Sequence, residues 1–165
     1  MANIKFHLVT PNDNQTIELI ANWYLNEWHL PIDKTILRLQ TITADPSQFQ
    51  VLMTLDNVPV STGGIYSHVG LLDREPKFKV FKNWLALVYT TPDKRQQGYG
   101  AAICNYIQDY SKHIGLDKIH LFTDTAERLY KRLGWDEIER LNLGERHIVV
   151  MKKDLLNDEK NGYQA

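Results

Sequence analysis

The chain has 165 residues, 43% of them apolar, and sets 19 basic side chains against 20 acidic ones for a formal net charge of −1. That length fills one hydrophobic core well and is short for two ordinary domains. The charge balance provides no global field toward nucleic acid, an anionic membrane or a polyanionic substrate, so any charge selectivity has to be local.

The first predicted element is a strand over Ile4 to Thr10, alternating and bounded by Pro11. From Thr16, the residues Ile17, Ile20, Ala21, Tyr24, Leu25 and Trp28 recur at helical spacing until Pro31 stops them. Asp33 is the predicted cap of a second helix running to about Thr43, ahead of the breaker "ADPSQ". "FQVLMTLDNVPVSTGGIYSHV" reads as a hairpin turning at "DN", with Gly63 and Gly64 marking a bulge or a close backbone approach. A charged connection, "LLDREPKFK", is expected to be exposed, and "NWLALVYT", apolar on both faces, is the expected central strand.

A helix follows from about Gly98 to Ile114, closed by Gly115, and then the strand "KIHLFT". Strand, helix and strand in that order predict a parallel βαβ unit with a right-handed crossover. "DTAERLYKRLGW" predicts a short helix with Asp124 as cap and Gly134 as stop, and "WDEIER" with "HIVVMKK" predicts a terminal hairpin. The fold class is therefore α/β, a mixed sheet of six to seven strands with helices on both faces. One domain is expected over residues 1–156, with 157–165 as a polar, disordered tail.

The sharpest local signal is "VYTTPDKRQQGYGAA", where Gly98 and Gly100 open a helix that directly follows a strand. A helix start presents unpaired N–H groups and the positive end of its dipole, and glycines let an anion approach them closely. Lys94 and Arg95 add positive charge to the same edge. The bland alternative is a sharp turn that tolerates glycine. Neither a Rossmann nor a Walker fingerprint fits, since the third glycine and the Gly-Lys-Ser/Thr ending are both missing.

"RQQGYG" is similar to the R/Q-x-x-G-x-G/A signature of the GNAT superfamily of N-acetyltransferases, and "LYKRLGW" resembles that family's closing "FY-x-x-x-G-F/W" segment. The predicted order of elements resembles the GNAT order over residues 4–153. The resemblance implies acetyl-CoA as acetyl donor, with its pyrophosphate on the backbone amides of Arg95, Gln96, Gln97, Gly98, Tyr99, Gly100 and Ala101. It further implies that backbone groups of Val88, Tyr89 and Thr90 hold the pantetheine arm and polarise the acetyl carbonyl, and that Tyr130 protonates the departing thiolate. For Tyr130 the alternative is a core tyrosine with its hydroxyl satisfied elsewhere.

No general base is assigned: Glu27, His68, Asp73, Glu75 and His120 each have some claim and each a bland explanation. The six histidines show no ligand spacing, so no metal is expected. In a GNAT-like fold Trp23, Tyr24, Trp28, Tyr66 and the "LLDREPKFKVFKNW" segment are candidate walls for the acceptor, with Trp23 better read as core. Arg74, Lys77, Lys79 and Lys82 read first as a solvated edge, second as a lure for an acidic acceptor. The expected partner is a small-molecule or peptide amine, with no nucleic acid and no membrane, on a monomer or homodimer. With one cysteine, Cys104, no secretory-type amino terminus and no apolar window near the ~20 residues of a membrane span, a cytoplasmic protein is expected. Two readings stay open, an active N-acetyltransferase and a non-catalytic acetyl-CoA-binding module.

Overall fold

Alternating residues of "IKFHL" pair along the edge of a sheet as β1 (Ile4–Leu8) in a computed structural model that describes residues 2–156. The apolar stripe through Ile17, Ile20 and Tyr24 then forms α1 (Asn14–Trp28). This helix ends at His29, which turns left-handed at φ 58° ahead of Pro31. Pro31 itself starts α2 (Ile32–Thr43). Asp33 lies in the first turn of that helix and makes no side-chain cap bond, so the predicted cap is corrected to a proline start with an acidic residue favourable to the dipole.

The hairpin forms as β2 (Phe49–Leu55) and β3 (Val58–Tyr66). Its turn residues Asp56 and Asn57 both have positive φ, the twist-matching geometry for a two-residue loop. Both meanings of the paired glycines are realised. The ladder to the next strand shifts register across Gly63, and a Cβ on Gly64 would lie 2.4 Å from the Phe49 carbonyl oxygen.

The connection after β3 corrects a prediction, because "LLDREPKFK" is not simply exposed. It folds into α3 (Leu71–Arg74) and a 3-10 turn (Pro76–Val80), which bury Leu71, Leu72 and Phe78 in one cluster with Trp84 and Val150. Charge at the surrounding positions masks three apolar residues spaced for a folded loop.

Next come β4 (Trp84–Thr90), α4 (Tyr99–His113), β5 (Lys118–Thr123), α5 (Glu127–Arg132), β6 (Asp136–Leu143) and β7 (Arg146–Asp154). Gly115 and Gly134 follow α4 and α5 with φ of 91° and 89°, as the sequence predicts for helix stops. Asp124 is not the cap of α5. The Thr123 hydroxyl accepts from the Thr125 and Ala126 amides at 3.3 and 3.0 Å, while Asp124 pairs with Arg146 at 2.9 Å.

The strands form one seven-stranded sheet in the order β1-β2-β3-β4-β5-β7-β6, with β4 in the middle and β4–β5 its parallel pair. Helices cover both faces, as expected of this mixed α/β sheet. Val51 and Met53 on β2 pack with Ile103 and Ile107 of α4, whereas Leu52 between them packs with Ile17, Ile20 and Leu39 of α1 and α2. Among the described residues no helix is long and apolar enough to cross a membrane. The predicted tail, 157–165, lies outside the described residues.

His120 sits where β4 and β5 meet. It is 4% exposed, stacked on Phe81 at 3.9 Å and tilted against Trp84 at 5.7 Å. Its Nδ1 is buried without a hydrogen-bond partner among the described residues, so a proton there would be an unpaired buried charge. Burial first, then Lys118 and Lys152, lowers its pKa to about 4. An unfolded histidine titrates near ~6.5, so between those values the unfolded chain binds more protons than the native one, and stability falls as pH drops. We predict that His120→Phe, which keeps the stack and removes the titration, flattens the fall in unfolding free energy measured by urea titration between pH 7 and pH 4 relative to the unsubstituted protein, by at most about 3 kcal/mol. Identical pH profiles for the two proteins would remove His120 as a source of acid sensitivity.

Candidate active site

The turn between β4 and α4 is an array of amide donors. Gln96 has φ 63° and Gly98 φ 89°, an alternation of left-handed residues that turns successive N–H groups toward one concavity. The first helical bond of α4 runs from the Ala102 amide to the Gly98 carbonyl at 3.1 Å. The amides from Gln96 through Ala101 therefore have no hydrogen-bond acceptor among the described residues. A Cβ at Gly98 or Gly100 would meet nothing within 4 Å, so both glycines leave the concavity open. Gly98 is in addition required by its backbone angle.

A second feature lies beside this turn. β4 and β5 share one ladder pair, Trp84 with His120, and then separate toward their carboxyl ends. A cavity of about 370 Å³ fills the gap, walled by residues 85–88 of β4, residues 121–123 of β5, and Tyr130. A second cavity of about 350 Å³ runs over Val88, Tyr89 and Thr90 to Arg95, Gln96 and Gly100. Trp28, Val88 and Thr125 line both, so the two form one groove from the amide turn to Tyr130.

Several donors and acceptors hold β4 in its separated shape. At the register shift Leu87 takes φ 54°, an uncommon value for a branched side chain. Its carbonyl is taken by the Tyr24 hydroxyl of α1, which donates at 2.7 Å. The Gln50 amide donates to the Tyr24 oxygen at 3.0 Å and to the Thr62 hydroxyl at 2.8 Å, and the Gln50 carbonyl accepts from the Tyr66 hydroxyl at 2.7 Å. Thr62 passes its own proton to the Val51 carbonyl at 2.7 Å. Next to this, the Ser61 hydroxyl bonds the Tyr89 carbonyl at 2.7 Å. Burial pushes the Tyr24 phenol well above its usual range and that of Tyr66 up to about 12, so both remain donors.

Tyr130 is 8% exposed, edge-on to Trp135 at 5.8 Å, and beside the Cys104 thiol. Burial first, and then Cys104, pushes its phenol well above the usual value, so the hydroxyl carries its proton at neutral pH. Of the predicted cofactor-contacting residues, Val88, Tyr89, Thr90, Arg95, Gln96 and Gly100 line one cavity. Gln97 turns its side chain to the Asp93 carbonyl at 3.1 Å, and Tyr99 packs partly buried against the core. The positive charge of Arg95 at this edge is held in place. Arg95 donates to Glu27 at 2.6 Å and to the Thr90 carbonyl at 2.8 Å, and lies over the Tyr89 ring at 5.4 Å.

That pairing also commits Glu27, one of the five acid–base candidates. His68 and Asp73 pair with each other at 3.2 Å and line neither cavity, and His120 is stacked in the core. Lys77 is tied to Glu139 at 2.5 Å, and none of Arg74, Lys77, Lys79 or Lys82 lines the groove. Trp28 is a wall, whereas Tyr24 and Tyr66 are buried in the hydrogen-bond network, and Trp23 stacks on Tyr89 at 5.2 Å. Sequence reasoning missed Gln50 altogether. Its signal was being one of two polar residues, with Thr54, in the otherwise apolar run of β2.

These features define an α/β protein with an array of unaccepted amides at a strand-to-helix turn and a groove that follows a splayed central strand. The acetyltransferase (GNAT) family model matches residues 14–135, and the chain belongs to that family. No curated protein matches it in sequence. Its fold is similar to that of a GNAT acetyltransferase from Streptococcus pneumoniae, with TM-score 0.69, 12% identity, and coverage of 93% of this chain and 99% of that one. An aminoglycoside 6'-N-acetyltransferase complexed with coenzyme A has TM-score 0.70 and 14% identity over 92% of this chain and 97% of its own. A spermidine N-acetyltransferase chimera involving Vibrio cholerae has TM-score 0.69 and 12% identity over 93% and 96%.

The network around Leu87 generates a direct expectation. Tyr24→Phe keeps the ring but leaves the Leu87 carbonyl and one Gln50 proton short of a partner, and should cost about 1–3 kcal/mol in chemical denaturation. An unchanged midpoint would mean that the bulge does not depend on the phenol.

Proposed function

We propose that this GNAT-family acetyltransferase moves the acetyl group of acetyl-CoA directly to the primary amine of a small molecule or peptide, as one domain over residues 1–156. The observation that carries the proposal is the run of unaccepted amides from Gln96 to Ala101 opening into a groove that ends at Tyr130. A pyrophosphate matches those amides in charge and in number of acceptors, and Lys94 on the same wall has no ion-pair partner among the described residues. The coenzyme A in the aminoglycoside acetyltransferase relative supports the same choice of donor.

In this reading Arg95, Gln96, Gln97, Gly98, Tyr99, Gly100 and Ala101 supply the pyrophosphate cradle. Val88, Tyr89 and Thr90 hold the pantetheine arm through main-chain groups, which β4 can offer because it has no ladder partner on the β5 side beyond Trp84. The neutral amine forms a C–N bond to the thioester carbonyl carbon, and backbone N–H groups stabilise the oxyanion. Collapse breaks the C–S bond. Tyr130 gives its proton to the leaving sulfur, the amine's extra proton passes to solvent, and the phenol is reprotonated from water. The products are the N-acetylated amine and the free thiol, with no net charge left on the protein.

Two measurements test this. Gly100→Trp places a side chain in the groove without backbone strain, and should weaken coenzyme A binding by calorimetry at least about 100-fold while leaving the melting temperature near its original value. Unchanged affinity would put the anion site elsewhere. Tyr130→Phe should retain coenzyme A binding and lower kcat at least about 10-fold in a thiol-release assay against a broad amine panel. Equal turnover across pH would remove Tyr130 from the chemistry, and binding without turnover in the unsubstituted protein would point to a non-catalytic acetyl-CoA module.

A further inference from the structure

The acceptor end of the groove is cationic, and the charge that makes it so comes from one residue. Arg38 of α2 lines the 370 Å³ cavity together with Tyr130, but not the cavity along the amide turn. The other ionic residues of that cavity are Asp124 and Arg146, and these neutralise each other at 2.9 Å. In the adjoining cavity Glu27 is similarly spent on Arg95. Every carboxylate of the groove is thus paired with an arginine, and among the described residues Arg38 has no carboxylate partner.

Arg38 is nevertheless held in place. Its guanidinium lies 4.6 Å above the Tyr66 ring, and one of its terminal nitrogens donates to the His68 carbonyl. Tyr66 cannot shift to release it, being 1% exposed and fastened to Gln50 through its hydroxyl. The side chain is half-buried, so an anion reaching it would be partly shielded from water. A fixed guanidinium with free N–H groups matches a carboxylate through two parallel hydrogen bonds. A polycation entering the same cavity meets an uncompensated positive charge and no free acid.

We infer that the acceptor is an amine that also carries a carboxylate, such as a free amino acid or a short peptide, with Arg38 gripping the carboxylate while the amine faces the groove beside Tyr130. This rests on the acetyltransferase reading for its chemistry, but not for its binding.

The test uses the full chain saturated with coenzyme A, and follows by calorimetry the binding of free amino acids, their carboxamides, spermidine and kanamycin. The same compounds are then screened for thiol release from acetyl-CoA. We expect at least one free amino acid to bind and its carboxamide to bind at least about 10-fold more weakly. Arg38→Gln should abolish that preference, raising KM for the amino acid by a similar factor while leaving coenzyme A affinity and the melting temperature in place. Preferential binding of spermidine or kanamycin, equal binding of acid and amide, no amino-acid binding, or an Arg38→Gln variant with the preference intact would each overturn the inference. Binding of the amino acid without acetylation would sustain the carboxylate site and instead defeat the transferase reading.

Discussion

β4 and β5 hold one ladder pair, Trp84 with His120, and the molecule is organised around keeping them apart beyond it. Two strands that part inside a sheet expose main-chain donors and acceptors, which ordinarily cost free energy when buried unmet. Here the separation is stabilised from the opposite edge of β4. The Leu87 carbonyl is met by Tyr24, the Tyr89 carbonyl by Ser61 and the Thr90 carbonyl by Arg95, so the strand is fixed in its bent form by groups from α1, β3 and the amide turn. The β5 side is left as the wall of a cavity. Gly63 and Gly64 serve the same end, one at the register shift and one where a side chain would collide with Phe49.

Periodicity made most of the fold legible, because helices and strands repeat at 3.6 and 2 residues whatever lies across from them. Some positive-φ positions were legible too, since Asp56-Asn57, Gly98, Gly115 and Gly134 fall where the local sequence asks for a turn or a stop, whereas Leu87 and Gln96 were not. Misreadings cluster where a polar side chain had a choice of partner. Asp33 and Asp124 looked like caps since acids are good ones, but a proline and a threonine hydroxyl supply those ends, and Asp124 is taken by an arginine 22 residues further along. The connection of α3 misled for a related reason, its few apolar residues being outvoted by charges that point to solvent.

The candidate site divides along the same line. The amide turn is local, built within the short stretch from Arg95 to Ala101, and a glycine pattern suffices to find it. What shapes the groove is not local. Tyr24 and Leu87 are separated by 63 positions, Glu27 and Arg95 by 68, and Gln50 joins tyrosines on two other elements. No spacing rule reaches that far. The proposed acceptor end is harder still, because its character depends on which charges cancel: five acid–base candidates and four loop cations drew attention in the sequence, and Arg38, unremarked there, is the arginine of that cavity without a carboxylate partner.

The position of β7 carries a consequence for how this site comes into being. β5 has one pair with β4 and a full ladder with β7, which inserts between β5 and β6 although it follows both in the chain. The wall of the cavity formed by Leu121, Phe122 and Thr123 is consequently held by the last strand to leave the ribosome among those described. A nascent chain that has reached α4 already holds β1 to β4 and the amide turn, while the far wall of the groove still lacks its support. In chain order the amide turn therefore precedes the strand that braces the cavity wall, so the two halves of the proposed site depend on separate parts of the sequence.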